Sequence, residues 1–316
     1  MSRKIVLTEE TNISKISYSC NQTHKIPRAI ILICQSIEEN PEDYNAFCEY
    51  LSEENIAYYI YSYRNTINKD PNISYGHLGE RRDSTILQDV MKLRTLISDN
   101  HGNAPVLLFG YSLGTIIALS TLINYPQKFS GIALWNLDMF FEKYSCILMT
   151  LFLKMEKFFK GSDTPSKLMH NLTSNLWNRN NENWKCFLQY SSLKSNDQNK
   201  VFNPQNIPIS VWMELMSMAT DINTQGSFNP LSRFTPFYLI GGGNAHSDIE
   251  DYSQTYKLAN RLQNEKFHDT SLISLPSVQS DDLCIPHAPQ AIRKLRNWIV
   301  NSYIPKVTPL ISQNKK

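Results

Sequence analysis

The residues best placed to do chemistry are Gly110-Tyr111-Ser112-Leu113-Gly114, a glycine-x-serine-x-glycine run set between the apolar PVLLF and the amphipathic TIIALSTLINYP. A strand that turns abruptly into a helix at such a run carries its serine at the apex, with Oγ exposed above the sheet. The flanking glycines answer a steric demand, because side chains there collide with the neighbouring strand and helix. The helix start adds unspent N–H groups, that of Leu113 among them, and a dipole that favours an oxyanion. The chemistry this suits is attack by Ser112 on an acyl carbon. A serine hydroxyl manages that only beside a base that takes its proton and an acid that orients the base.

Around that run, short apolar stretches and helical patterns alternate. Strands are expected at Ile5–Thr8 and Lys15–Tyr18, as an opening hairpin, and then at Ala29–Ile33, Ala57–Tyr61, Val106–Phe109, Ile132–Trp135, Phe237–Ile240 and Ser271–Leu275. Helices are expected at Asp43–Glu54, Thr85–Ser98, Leu113–Asn124, Ser253–Gln263 and Gln290–Val300. The order predicts an α/β fold, a mostly parallel sheet with helices on both faces. From 137 to 234 the alternation stops, which reads as a helical insertion over the C-terminal edge of the sheet, with segments such as Cys146–Phe159 and Ile209–Met218. Residues 304–316 read as a loose tail.

Composition narrows the function. Lys+Arg 31 against Asp+Glu 29 leaves a formal charge of +2, too little for a nucleic-acid footprint. The six cysteines are scattered without a close pair, so neither a disulfide framework nor a zinc site is expected, and free thiols in a reducing, cytoplasmic setting are. The N-terminus has no apolar run of signal-peptide length and no stretch is long enough to span a membrane. No cofactor is expected, because Gly241–Gly243 lack the lysine and hydroxyl residue of a phosphate loop and read as a tight turn off a strand. Glycine is scarce, 11 in 316, about half the usual share.

Nearly the whole chain resembles the monoacylglycerol lipase and lysophospholipase branch of the α/β-hydrolases, the serine aminopeptidase S33-like group. The elbow carries the resemblance, with RAIILICQSIEENPEDYNAFCEYL similar to the strand, oxyanion loop and first helix, YGHLGERRDSTILQDVMKL to the glycine-histidine segment, and LKMEKFFKG, LWNRNNENW and FNPQNIPIS to the helical cap. It implies a core of 1–136 and 235–303 and a cap of 137–234. It also exposes departures. Where the family pattern has its acid, PFYLIGGGNAH places Ala245; where it has its histidine, LPSVQSDDLCI places Ser280. The family's His-Gly pair in the oxyanion loop is Cys34-Gln35, leaving the N–H of Ser36, with that of Leu113, to face a substrate oxygen.

A triad rebuilt elsewhere would draw on Asp138, after GIALWNL, on His246 and Asp248 in NAHSDIED, and on His287 in CIPHAPQ. Each also has a plainer reading: Asp138 as a cap or hinge residue, His246 as a solvated loop residue, and His287 as an exposed residue at a helix start. Asp281 and Asp282 are too weakly basic to serve. His77 reads as a hydrogen-bonded loop histidine and Cys34 as a small buried residue ending a strand. The segment Cys146–Phe159 is apolar almost all round, which suits a cap helix lining an acyl tunnel, touching a membrane interface, or buried against its neighbours. The expectation is therefore a catalytically impaired homologue that binds an acyl lipid, another small hydrophobic ligand or a protein partner, with an active serine ester hydrolase as the alternative.

Overall fold

The computed structural model describes residues 17–20, 26–36, 41–62, 85–137, 142–169, 171–172, 207–242, 253–275 and 284–313. Among these residues seven strands form one sheet in the order β1-β3-β2-β4-β5-β6-β7: β1 Ser17–Cys20, β2 Ala29–Cys34, β3 Ile56–Ser62, β4 Val106–Tyr111, β5 Gly131–Trp135, β6 Phe237–Gly242 and β7 Thr270–Leu275. All neighbours pair parallel except β1, which lies antiparallel on β3. The expected partner of β1 in a hairpin, Ile5–Thr8, lies outside the described residues.

The central strands are apolar without interruption, as AIILIC and VLLFGY, because both faces of the sheet are covered. Their side chains sort by parity. Ile30, Leu32, Leu108, Ile132 and Leu134 face one core with α2 (Thr85–His101), α3 (Gly114–Asn124) and three later helices; Ile31, Ile33, Leu107, Phe109 and Ala133 face another with α1 (Asn45–Ser52) and the C-terminal helices.

The insertion supplies α4 (Lys143–Lys160) and α5 (Ile209–Ile222). Helix α5 packs on both α3 and α4, so the elbow helix is the foundation of this layer. A short bridge closes its base: Ser166 N–H donates to Ile207 O (3.2 Å) and Ile209 N–H to Thr164 O (3.0 Å).

After β6 come α6 (Ser253–Asn264), then β7 and α7 (Cys284–Trp298). Helix α7 starts earlier than expected, and His287 lies inside it rather than ahead of it. The loose tail is also a misreading. A π-helical turn, Ile299–Tyr303, leads into α8, Ile304–Gln313, whose first turn buries Ile304 and Val307 on the second core. Lys306 Nζ adds an ion pair with Asp269 at 2.7 Å. Apolar side chains on one face of α8 bind it to the core, a tertiary effect that local composition does not register.

Candidate active site

Ser112 sits at the hinge between β4 and α3 with φ of +50°, a left-handed conformation that costs a residue with a side chain about 1–2 kcal/mol. Hydrogen bonds hold it there. The Ser112 N–H donates to Trp135 O at the end of β5 (3.1 Å), while its carbonyl accepts the Thr115 N–H (3.0 Å) and the Thr115 hydroxyl (2.6 Å). Thr115 is a part of the site that the sequence reading passed over. A threonine in a first helical turn is unremarkable as sequence, and only the buried bond to the Ser112 carbonyl gives it a role.

Both glycines are sterically obligatory. A Cβ on Gly110 would lie 2.7 Å from Gly114 O and Thr115 Cα, within the elbow itself. A Cβ on Gly114 would overlap the Cys34 carbonyl oxygen and lie 2.8 Å from Gln35 O. Gly114 thus lets the elbow press directly on the loop after β2.

That loop is the oxyanion side. Cys34 pairs with Gly110 across β2 and β4, and Gln35 and Ser36 follow it fully buried. Ser36 therefore stands at the edge of the sheet that carries Ser112, two residues beyond the end of the adjacent strand. Neither Gln35 nor Ser36 has positive φ, so these two positions do not need the left-handed backbone that favours glycine. Burial pushes the Cys34 thiol far above its ordinary range. It is a protonated core side chain, as its sequence position suggests, and no nucleophile.

Asp138, Ala245, His246, Asp248 and Ser280, with His77, lie outside the described residues. The sheet order still orders their strands: Asp138 follows β5, next to β4; Ala245, His246 and Asp248 follow β6, two strands away; Ser280 follows β7, three strands away. At about 4.8 Å per strand these offsets are about 5, 10 and 14 Å. His287 is in the first turns of α7, which begins at the same edge beyond β7. His101 and His268 belong to the opposite edge, where α2 ends before β4 and where β7 begins. His101 is committed there, its Nε2 2.9 Å from the Tyr59 hydroxyl.

At the end of β5 stands Asn136, 8% exposed, with φ of +63° and its N–H on Ile240 O at 3.0 Å. Asparagine tolerates this conformation better than most residues, and here it turns the chain off the sheet just before Asp138. Among the described residues no cluster of three His, Cys, Asp or Glu could hold a metal ion, and no helix is long and apolar enough to cross a membrane.

Comparison with known proteins agrees with this geometry. The family model described as serine aminopeptidase, S33, matches residues 25–272. No curated protein sequence matches significantly. Among solved structures, the chain is similar to a highly thermostable carboxyl esterase from Bacillus coagulans in complex with glycerol (TM-score 0.71, 14% identity, 95% of this chain and 98% of that one). It is also similar to a lipase in an open form (0.72, 15%, 97% and 99%), and to a soluble variant of monoglyceride lipase from Saccharomyces cerevisiae in complex with a substrate analog (0.58, 12%, 95% and 95%). At such identities the likeness establishes the α/β-hydrolase fold.

Proposed function

Because the chain belongs to the serine aminopeptidase S33 family, we propose that it is a lipase- or esterase-like member whose hydrolysis is impaired and which binds an acyl lipid or another small hydrophobic ligand. The observation that carries this reading is the pair of substitutions at the strand ends that supply the family's acid and base. Ala245 stands three residues beyond the end of β6, and Ser280 five beyond the end of β7. What would remain to cradle an acyl group is Ser112 on its elbow, the N–H groups of Leu113 and Ser36 as candidate oxyanion donors, and the insertion whose α5 packs on α3.

Without a base the Ser112 proton has nowhere to go in the attacking step. In a serine protease the loss of the histidine costs about 2 × 10⁶ in kcat, which leaves at most about 10³–10⁴ over water from binding and oxyanion donors. The test is labelling by a fluorophosphonate probe, which needs an activated serine. The expected result is no labelling above that of Ser112→Ala. Rapid, Ser112-dependent labelling would overturn the proposal.

One observation favours a second reading, an active serine ester hydrolase with a relocated triad. Ser112 keeps its strained φ, and strain of this kind collects at working sites. Asp138 or Asp248 would then be the acid and His246 or His287 the base. Under this reading, His246→Ala or His287→Ala abolishes the probe labelling that Ser112 supports.

A further inference from the structure

The turns at the ends of β4 and β5 are a matched pair. Tyr111 and Trp135 are the last register partners of these two strands, and the residue that follows each, Ser112 and Asn136, has a left-handed φ, +50° and +63°. The Ser112 N–H on Trp135 O, at 3.1 Å, holds the strand ends together up to that point. At the spacing of neighbouring strands the Cα atoms of Ser112 and Asn136 are about 5 Å apart. Asn136 thus stands directly beside the nucleophile position.

Both side chains are buried, and their polar atoms are uncommitted. Ser112 is 5% and Asn136 8% exposed; among the described residues neither the Ser112 hydroxyl nor the Asn136 side-chain amide makes a hydrogen bond. The backbone alone does not account for the asparagine. Glycine takes a left-handed φ without steric cost, whereas an amide enclosed without a partner is costly. The neighbouring Thr115 hydroxyl is already engaged, donating to the Ser112 carbonyl at 2.6 Å. The Leu113 N–H, next in the turn, donates to no carbonyl among the described residues. Two unspent side chains about 5 Å apart, at the start of the 11-residue α3, fit a group with two acceptor oxygens on one carbon. A carboxylate has that form. One oxygen takes the Ser112 hydroxyl and the Leu113 N–H, the other takes the Asn136 amide N–H, and the dipole of α3 favours the charge. A ketone or ester has one good acceptor and leaves the Asn136 amide unpaired.

From this pairing we propose that Asn136 is the selectivity residue of the site, through which a free acyl carboxylate, a fatty-acid anion, is held in preference to the corresponding neutral acyl group. The inference rests on the acyl-binding reading above and adds to it which form of the acyl group is bound and which side chain decides.

Isothermal titration calorimetry of the full chain in mildly alkaline buffer, with octanoate and with nonan-2-one, tests it. The two ligands carry a carboxylate or a methyl ketone on the same alkyl chain, and neither has a bond that Ser112 could cleave. The wild-type chain is expected to bind octanoate at least about tenfold more tightly than the ketone, the worth of a hydrogen bond to a charged group. Asn136→Gly keeps the left-handed backbone and removes only the amide, and should bring the two affinities within about threefold of each other with ketone binding unchanged. Asn136→Asp has the same shape and tolerates the same backbone, but sets a like charge against the carboxylate; it should abolish octanoate binding and spare the ketone. A purely structural role for Asn136 would move both ligands together. Equal binding of the two ligands by the wild-type chain, or an octanoate preference that survives Asn136→Gly, overturns the role of Asn136 and leaves the acyl-binding reading in place. Binding of neither ligand overturns both.

Discussion

Ser112 is held against its own preference. Its left-handed φ is imposed by the bonds to Trp135 and Thr115 and by the close approach of Gly114 to the Cys34 carbonyl. Replacing the serine with glycine removes the side chain that dislikes this conformation, so Ser112→Gly is expected to stabilise the fold by about 1 kcal/mol, part of the relief being offset by glycine's entropy in the unfolded chain. In a thermal melt that is about 2–4 °C upward for a chain of this size. Gly114→Ala should do the reverse. Its methyl meets backbone on the facing strand end, which cannot rotate away as a side chain could, and a loss of about 3 kcal/mol or more in denaturant titration is expected. An unchanged midpoint for Gly114→Ala would contradict the packing described for the elbow.

Among the elements, α4 is tied to the segment that follows it by one buried carboxylate. The Glu156 side chain is 8% exposed; it accepts the Lys160 ammonium, the Ser166 hydroxyl and the Lys167 N–H, and so ties the helix to the segment that follows it. Burial by itself pushes its pKa up, but these hydrogen bonds and the Lys160 charge outweigh burial and hold the carboxyl below its ordinary value. A carboxylate depressed in the folded state contributes stability that is complete above its unfolded pKa and disappears as the pH falls through the folded one. Glu156→Gln is thus expected to cost about 1–2 kcal/mol at pH 7, with the difference from wild type closing in acid below the folded pKa. Urea melts of both proteins across that range check it, and a gap independent of pH would assign the effect to packing instead of charge.

At the scale of the whole molecule the described residues form one sheet between two cores, and helix α8 packs on the second of them. Ile304 and Val307 are 6% and 5% exposed, and a buried side chain of this kind is worth about 1.5–3 kcal/mol. Deleting residues 304–316 is expected to lower stability by at least about 3 kcal/mol, read as a shift of the denaturation midpoint. A truly loose tail would leave the midpoint where it was. Helix α5 packs on α3, so the helix that starts at the nucleophile also supports the helices of the insertion, and under the proposed function an acyl ligand bound beside Ser112 should raise the melting temperature.

The chain's own residue pattern determined the strands and the elbow. AIILIC and VLLFGY need cover on both faces whatever surrounds them, and a strand-to-helix turn as tight as that at Ser112 admits only glycine at its flanks. These demands are local, which is why β2 to β7 and α3 were legible to within a few residues. Other features depend on partners far along the chain. Gly114 is needed against Cys34, eighty residues earlier; α8 is ordered by a core to which its prolines give no clue; and the bond from Thr115 appears only once Ser112 is left-handed. Helix α4 is the clearest case. A helix apolar nearly all round does not say which side it will bury, and only the packing of α5 against Cys146 and Leu153 decided that Tyr144, Phe158 and Phe159 should face outward.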